Sequence, residues 1–284
     1  MKFQESARSS HIAHVSTAQR RPGLLRGLVM VMLLVVLGSG CAGVTERGYW
    51  GASVAWPDGQ RLASAAVKAA RSPNTWIPAV GAVIFGVTDL DDELSDYAVD
   101  NAPVFGSDAD SASDTLRDIA IASYVVTALA APSDSARSRA SGLLVGGATL
   151  AADRLLVDGL KRATDRERPD GSNKRSWPSG HTSLAATSAT MAVGNLRYVD
   201  MPAWARVTAS VGLYGTAAST GWARVEAGKH FPSDVLAGYA LGSFLARFAY
   251  EAFLEPGNVS LPVSINVAPL PGGGGALSLS VALR

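Results

Sequence analysis

The sequence predicts an all-α fold, a bundle of about six to seven helices that is followed by a C-terminal β-hairpin. Between Arg61 and Glu255 the chain is rich in Ala, Leu, Val and Gly, in segments long enough for helices and separated by breaker residues. Beyond Pro256 the apolar residues alternate with others, which is the period of a strand. The two patterns divide the chain into a helical body and a short β tail.

Seven segments carry the helical pattern, and prolines stand at their edges. Pro132, Pro178, Pro202 and Pro232 lie where a missing N–H or a fixed φ costs least, so they separate helices rather than kink them. The expected helices run over residues 62–71, 74–87, 113–131, 136–161, 179–197, 202–222 and 232–253. Composition leaves open whether this bundle is soluble or embedded in a membrane, and the shortness of the most apolar stretches favours a soluble or membrane-surface domain.

The tail predicts a hairpin within residues 256–284. Its apolar positions are Leu261, Val263, Ile265, Val267, Leu277, Leu279, Val281 and Leu283. The Pro-Gly-Gly-Gly-Gly segment at 271–275 supplies the positive φ angles that a tight turn needs. The sequence indicates no role for the tail, and packing, dimerisation and contact with the outer membrane remain its alternatives.

Composition excludes several classes of protein. With 48% apolar and 17% charged residues the chain is folded rather than disordered. Its 25 basic and 24 acidic residues nearly cancel, so we expect no nucleic-acid partner. The single cysteine, Cys41, excludes an intramolecular disulfide and a thiolate zinc cluster. An anion site would therefore be built from Lys, Arg and His.

Residues 1–40 have the order of a signal peptide. Arg20 and Arg21 precede a run from Leu24 to Leu37 that is apolar apart from Arg26 and Gly27 and is too short for a typical membrane-spanning helix. The segment Leu-Gly-Ser-Gly-Cys-Ala-Gly resembles the lipobox of bacterial lipoproteins, with Gly38 where the family prefers an aliphatic residue. The resemblance implies lipidation of Cys41 and a membrane-anchored protein of the bacterial envelope that faces the periplasm.

Three other interpretations of the leader remain open. One is a cleaved signal that leaves Cys41 free, and another is an uncleaved anchor. The third is a twin-arginine signal at Arg20 and Arg21. All of these interpretations export the domain.

The residues with chemical potential are concentrated in three groups. Residues 161–175 interleave six basic with three acidic side chains, a pattern that is usually a solvated loop. Pro178-Ser179-Gly180-His181 follows directly, and Arg224, His230 and Asp234 form the last group. Two of the four histidines belong to the leader, so both histidines of the mature chain lie in these groups. We expect Lys174 and Arg175 to be surface charges.

The chemistry of these residues is that of anion binding. Lys161, Arg168 and Arg224 could converge on one phosphate. Ser179 and Gly180 open a helix, whose free N–H groups attract anions. His230 and Asp234 are four residues apart, a spacing that allows a carboxylate to hold an imidazole nitrogen.

These three groups resemble the three-part signature of the type-2 phosphatidic acid phosphatase (PAP2) superfamily, which also includes bacterial acid phosphatases and vanadium haloperoxidases. Lys161-x6-Arg168-Pro169 matches the first part, Pro178-Ser179-Gly180-His181 the second, and Arg224-x5-His230-x3-Asp234 the third. The family usually has Ser before the arginine of the third part, and this chain has Ala223. The resemblance covers residues 74–255, which implies a PAP2 phosphatase domain there, preceded by a tether and first helix over residues 41–73.

The resemblance implies a metal-independent phosphatase without a cofactor. His230 would be the nucleophile that forms a phosphohistidine, with Asp234 bonded to its other ring nitrogen. His181 would protonate the leaving group. The phosphate oxygens would be bound by Lys161, Arg168, Arg224 and the amides of Ser179 and Gly180.

The expected substrate is a phosphomonoester or pyrophosphate, either a phosphorylated lipid or a small soluble phosphoester. Lipid phosphates are favoured by the expected location, since Cys41 would hold the domain at a membrane. Two other functions remain as alternatives: a vanadate-dependent haloperoxidase, which the short chain disfavours, and a non-catalytic envelope lipoprotein that retains the fold. The sequence leaves the oligomeric state open.

Overall fold

The computed structural model describes residues 48–255, together with the backbone of residues 263–269 and 275–281. The helices in these ranges are α1 (Gly59–Ala70), α2 (Pro73–Gly86), α3 (Leu90–Asn101), α4 (Ala109–Ala130), α5 (Ala136–Thr164), α6 (Gly180–Asn195), α7 (Ala203–Glu226) and α8 (Pro232–Ala249). A 3₁₀ turn (Gly106–Asp108) precedes α4, and a π-helical turn (Tyr250–Leu254) ends α8. The all-α class is confirmed. The leader and Cys41 lie outside the described residues.

Two strands follow the bundle. β1 (Val263–Pro269) and β2 (Gly275–Val281) pair antiparallel, with Val263 opposite Val281 and Pro269 opposite Gly275. Their positions agree with the alternation in the sequence.

The centre of the bundle is α6, a helix of mostly small residues. Twelve of its sixteen residues are buried, because α4, α5, α7 and α8 all pack against it. A helix that is buried on every side carries no polar stripe, and its Ala, Ser and Thr side chains let the neighbouring helices approach closely. Met191 from α6 and Tyr250 after α8 are among the largest side chains in the core.

Two glycines of α8 allow it to lie directly against α6. A Cβ at Gly238 would stand 2.4 Å from the carbonyl oxygen of Ser179, and one at Gly242 would stand 2.1 Å from that of Ser183. Only a residue without a side chain fits such a distance. This contact brings the first turns of α6 and α8 together at one end of the bundle.

Helix α3 was absent from the sequence prediction, which is corrected here. The sequence prediction contains no helix between residues 88 and 112, and five of the twelve residues of α3 are acidic. In the structure α3 packs against α2, α7 and α8. Its first turn therefore lies at the same end of the bundle as the first turn of α8.

Several helices expose apolar side chains. On α7, Trp204, Val207 and Val211 are 72%, 62% and 67% exposed. Within the described part of the chain α5 alone is long and apolar enough to cross a membrane, by length and composition.

Candidate active site

A cavity of about 320 Å³ opens at the end of the bundle where α6 and α8 begin. Five of the residues expected to form the site line it: Lys161, Arg168, Gly180, His181 and His230. Lys161 comes from the last turn of α5, and Arg168 from the loop that leads from α5 to α6. The three parts of the sequence signature thus meet around one cavity.

His230 is buried at the base of this cavity and is backed by Asp234 in the first turn of α8. Its Nδ1 lies 3.5 Å from Oδ2 of Asp234, which is longer than a normal hydrogen bond. Burial lowers the pKa of His230 to about 3, although Asp234 opposes this shift. The imidazole is therefore neutral at pH 7, as a nucleophile has to be.

Asp234 is fully buried and accepts several hydrogen bonds. Ser176 Oγ lies 2.5 Å and the backbone nitrogen of Phe231 3.0 Å from Oδ2, while Arg166 Nη1 lies 2.7 Å from Oδ1. Burial alone would raise the pKa of Asp234, but His230, Ser176 and Arg166 together lower it below its ordinary value. The carboxylate is ionised and fixed in orientation behind the imidazole.

Arg166 joins Asp234 to a second buried carboxylate, Asp91 of α3. Its Nη2 lies 2.7 Å from Oδ2 of Asp91, and its guanidinium carbon stands 4.2 Å from the centre of the Phe231 ring. Asp91 also accepts hydrogen bonds from the backbone N–H and the hydroxyl of Ser233, at 2.7 and 2.5 Å. Neither Arg166 nor Asp91 was identified from the sequence, because Arg166 is one of several cations in a charged run and Asp91 lies outside the signature.

Two cations of the first motif face the cavity. Lys161 is 8% exposed, and its Nζ donates to the carbonyl oxygen of Arg175 at 2.6 Å. Burial, aided by the nearby Arg168, lowers the pKa of Lys161 to about 8. Nε of Arg168 has no hydrogen-bond partner among the described residues, so this guanidinium has donors to offer an anion.

Arg224 is held differently. Its Nη1 donates to Asp110 and, at 3.2 Å, to the hydroxyl of Ser113, both at the start of α4. Its Nε has no partner among the residues that the structure describes. Arg224 is not one of the described residues that line the cavity.

Ser179 and Gly180 do not behave as an equivalent pair. The backbone N–H of Ser179 donates to the carbonyl of Asp234 at 2.9 Å, and its hydroxyl lies 3.0 Å from that of Thr182. Ser179 is fully buried and is not among the described residues of the cavity wall, whereas Gly180 is. The expectation that both amides bind the phosphate is corrected for Ser179, whose N–H is already bonded to Asp234, and it stays a prediction for Gly180.

His181 lies on the cavity wall between an aspartate and an arginine of α4. Its Nε2 lies 2.7 Å from Oδ1 of Asp114 and 2.6 Å from Nη1 of Arg117. A protonated Nε2 donates to Asp114, and an unprotonated Nε2 accepts from Arg117. Burial, reinforced by Arg224, lowers the pKa of His181, while Asp114 opposes this effect. Both protonation states therefore have a partner in place.

Three more residues of the cavity wall were not expected from the sequence. Arg175, which we expected to be a surface charge, lines the cavity and pairs with Asp158 at 3.2 Å. Asp153 of α5 is almost fully buried there, and burial raises its pKa to about 6 against a hydrogen bond from the Ser183 hydroxyl. No signal in the sequence separates these residues from ordinary surface charges.

The arrangement has the properties of a phosphate site. The neutral, buried imidazole of His230 faces a cavity that is lined by Lys161 and Arg168. His181 lies on the wall of the same cavity and has a hydrogen-bond partner in both of its protonation states. Such a site can attack a phosphorus centre, stabilise negative charge on its oxygens and exchange a proton with a leaving group.

The chain is similar to known phosphatases over part of its length. A lipid A 1-phosphatase of Porphyromonas gingivalis is 37% identical over 95 residues, which are 34% of this chain and 20% of that protein. A lipid A 1-phosphatase of Rhizobium johnstonii is 33% identical over 145 residues, 43% of this chain and 55% of that protein. The chain thus spans about one fifth and about half of the lengths of these two relatives.

A solved structure is also similar, namely that of the first transmembrane PAP2 type phosphatidylglycerolphosphate phosphatase from Bacillus subtilis. The TM-score is 0.47 at 22% sequence identity, and the match covers 66% of this chain and 94% of that one. The sequence profile of the PAP2 superfamily matches residues 160–256, which contain all three parts of the signature. Through these residues the chain belongs to the PAP2 superfamily.

Proposed function

We propose that the protein is a phosphatase that hydrolyses phosphomonoesters or pyrophosphates through a phosphohistidine intermediate, without a metal ion. The observation that carries the proposal is His230, which is buried, faces the cavity beside Lys161 and is backed by the ionised Asp234. We assign the catalytic domain to residues 74–255, which include the α3 residue Asp91.

In the first step Nε2 of His230 attacks the phosphorus, since Nδ1 faces Asp234. A nitrogen–phosphorus bond forms, and the bond from phosphorus to the leaving oxygen breaks. His181 donates its proton to that oxygen, which leaves Nε2 of His181 free to accept from Arg117. Lys161, Arg168 and the Gly180 amide neutralise the charge on the remaining phosphate oxygens, with Arg224 behind them.

In the second step water replaces the histidine on phosphorus. His181 takes a proton from the water and returns to the state that donates to Asp114. The nitrogen–phosphorus bond breaks, inorganic phosphate leaves, and His230 is neutral again. Asp234 stabilises the positive charge that the His230 ring carries while the phosphoryl group is attached.

We propose a lipid phosphate as the substrate class. The relatives reported above are named as lipid A 1-phosphatases, and the cavity wall combines cations with the apolar side chains of Val157 and Leu184. A charged head group and the adjoining apolar part of one molecule would thus both find contacts. Exposed apolar side chains such as Trp204 also support work at a membrane.

The proposed location is the bacterial envelope, with a lipid on Cys41 as the anchor. Mass spectrometry of the N-terminal peptide from membranes tests this assignment. A diacylglyceryl mass on Cys41, absent from Cys41→Ser, is the expected result. An unmodified Cys41 in the membrane-bound protein would overturn the anchor but leave the catalytic proposal untouched.

The catalytic proposal is tested by phosphate release from the purified full chain in detergent with EDTA present. Substrates are an aryl phosphate, phosphatidic acid, phosphatidylglycerol phosphate and an isoprenyl pyrophosphate. We expect turnover of the lipid substrates, its loss in His230→Ala with the melting temperature retained, and normal rates in Arg162→Gln, an exposed cation of α5. Turnover that survives in His230→Ala would refute the mechanism, and turnover of the aryl phosphate alone would refute the substrate class.

A further inference from the structure

A second basic cavity lies at the opposite end of the bundle from the candidate active site. It has a volume of about 300 Å³ and is formed where α1 ends and α2 begins, against the last turns of α6 and α8. We call it the far-end cavity and define it by six of its lining residues: Lys68, Arg71, Asn74, Thr190, Arg197 and Arg247.

The far-end cavity is distinct from the active site. Arg247 follows Asp234 by thirteen residues on the same helix, which corresponds to a separation of about 20 Å along the helix axis. The two cavities are also separated along α6, where Thr190 of the far-end cavity follows His181 of the active site by nine residues. None of the six residues belongs to the three-part signature.

The charges of the far-end cavity do not balance. Glu251 pairs with Lys68 at 2.8 Å and with Arg247 at 2.5 Å, so one carboxylate serves two cations. Arg197 pairs with Glu255 at 2.8 Å. Arg71 has no carboxylate partner in the described part of the chain. Four cations thus face two carboxylates, and the cavity has an excess of positive charge.

Two uncharged features also point to an anion. Oγ1 of Thr190 is buried and has no hydrogen-bond partner among the described residues, although the side chain lines the cavity. A buried hydroxyl without a partner is costly, so a ligand oxygen that accepts its proton would stabilise this arrangement. The first turn of α2 borders the same cavity, and its cap residue Ser72 makes no side-chain hydrogen bond to the helix. The positive end of the α2 dipole is thereby left open to an anion.

We propose that the far-end cavity is a second, non-catalytic site for a phosphate group. The guanidinium of Arg71 and the ammonium of Lys68 would bind its oxygens with charge-assisted hydrogen bonds, and Thr190 would donate its hydroxyl proton. Inorganic phosphate and the head group of an anionic phospholipid share this chemistry. Because the site is remote from His230, its occupation is independent of the proposed catalytic reaction.

Isothermal titration calorimetry on the full chain in detergent tests the proposal. Inorganic phosphate and short-chain phosphatidylglycerol are titrated separately into wild type, Arg71→Gln and Thr190→Val. Arg137→Gln is the matched control, because Arg137 is an exposed cation at the same end of the bundle and outside the cavity. Arg168→Gln identifies the binding that belongs to the active site.

Wild type should bind one ligand in addition to the one that Arg168→Gln removes. For that ligand we expect the dissociation constant to rise at least about tenfold in Arg71→Gln and in Thr190→Val, and to be unchanged in Arg137→Gln. An effect on inorganic phosphate identifies a free anion, and an effect on phosphatidylglycerol alone identifies a lipid head group. If Arg71→Gln and Thr190→Val bind both ligands as Arg137→Gln does, the proposal is wrong.

Discussion

At the scale of single residues, Arg166 is the least expected member of the candidate site. It lies between Lys161 and Arg168 in sequence, but unlike them it is not among the described residues that line the cavity. Its two terminal nitrogens bridge Asp234 and Asp91, and both carboxylates are buried. Arg166 therefore fixes the carboxylate that stands behind His230 and acts through it, without a contact to the substrate.

We expect Arg166→Gln to lower kcat by about 10²-fold with little change in KM, since Asp234 and His230 would lose their fixed geometry while the phosphate-binding cations remain. Steady-state kinetics on the preferred substrate measures both constants. Arg166→Lys should recover only part of the rate, because an ammonium cannot bridge two carboxylates in the same way.

Arg162→Gln is the control for this substitution, since Arg162 is an exposed cation of the same helix end. It should leave kcat and KM near wild type. An Arg166→Gln protein with a normal kcat and a raised KM would contradict the positioning role and would instead place Arg166 in substrate binding.

A second residue-scale prediction concerns Asp153, which is buried on the cavity wall. Because burial raises its pKa to about 6, the folded state binds this proton more tightly than the unfolded state does. The resulting stabilisation is fully present below about pH 4 and is lost as pH rises through about 6. Its size is about 3 kcal/mol, if a shift of about two units is converted at 1.36 kcal/mol per unit.

Asp153→Asn should remove this dependence. Denaturant unfolding at several pH values gives the free energy of unfolding of both proteins, and their difference isolates Asp153 from other titrating groups such as Asp234. The advantage of wild type over the variant should shrink between pH 4 and pH 6. A difference that stays constant over this range would show that Asp153 titrates normally.

At the scale of elements, the site depends on how α8 lies against α6. Gly238 and Gly242 permit backbone contact between the two helices, and this contact sets His230 and Asp234 beside the first turn of α6. Helix α3 completes the arrangement from outside, since Asp91 accepts a hydrogen bond from the backbone of Ser233 in α8.

Gly242→Ala tests the importance of the close contact. The added Cβ would stand 2.1 Å from the carbonyl oxygen of Ser183, so the helices have to separate, and we expect a loss of about 1–3 kcal/mol in the free energy of unfolding. Gly212→Ala in α7 is the control, because no atom lies within 4 Å of its added Cβ. That control should be stabilised by about 0.5–1 kcal/mol. Equal effects of the two substitutions, measured by denaturant unfolding, would contradict this account of the packing.

The sequence predicts elements and motifs better than it predicts contacts. The apolar segments locate seven of the helices to within several residues, and the order of Lys161, His181 and His230 identifies the site because these residue types are rare and clustered. Helix α3 was not predicted, although Leu90, Leu94, Tyr97 and Ala98 have helical spacing, because five of its twelve residues are acidic and it is short. The sequence also does not predict the pairing of Arg166 with Asp91, because these residues are 75 positions apart and their contact depends on the packing of α3.

At the scale of the whole molecule, the bundle has two chemically different ends. One end holds two histidines and several cations around a cavity, and the other holds the far-end cavity with its excess positive charge. Between them, helices such as α7 expose apolar side chains. Under the two proposals made above, the domain would bind phosphate groups at both ends.

The most direct test of the central claim is to trap the phosphoenzyme. The full chain is mixed with a substrate labelled on phosphorus, quenched in alkali within milliseconds, and analysed by mass spectrometry of the peptide that contains His230. We predict a phosphoryl group on His230 that is stable to alkali and labile to acid, that accumulates in wild type and that is absent from His230→Gln. Rapid turnover by wild type with no label on His230, or label on another residue, would contradict the account.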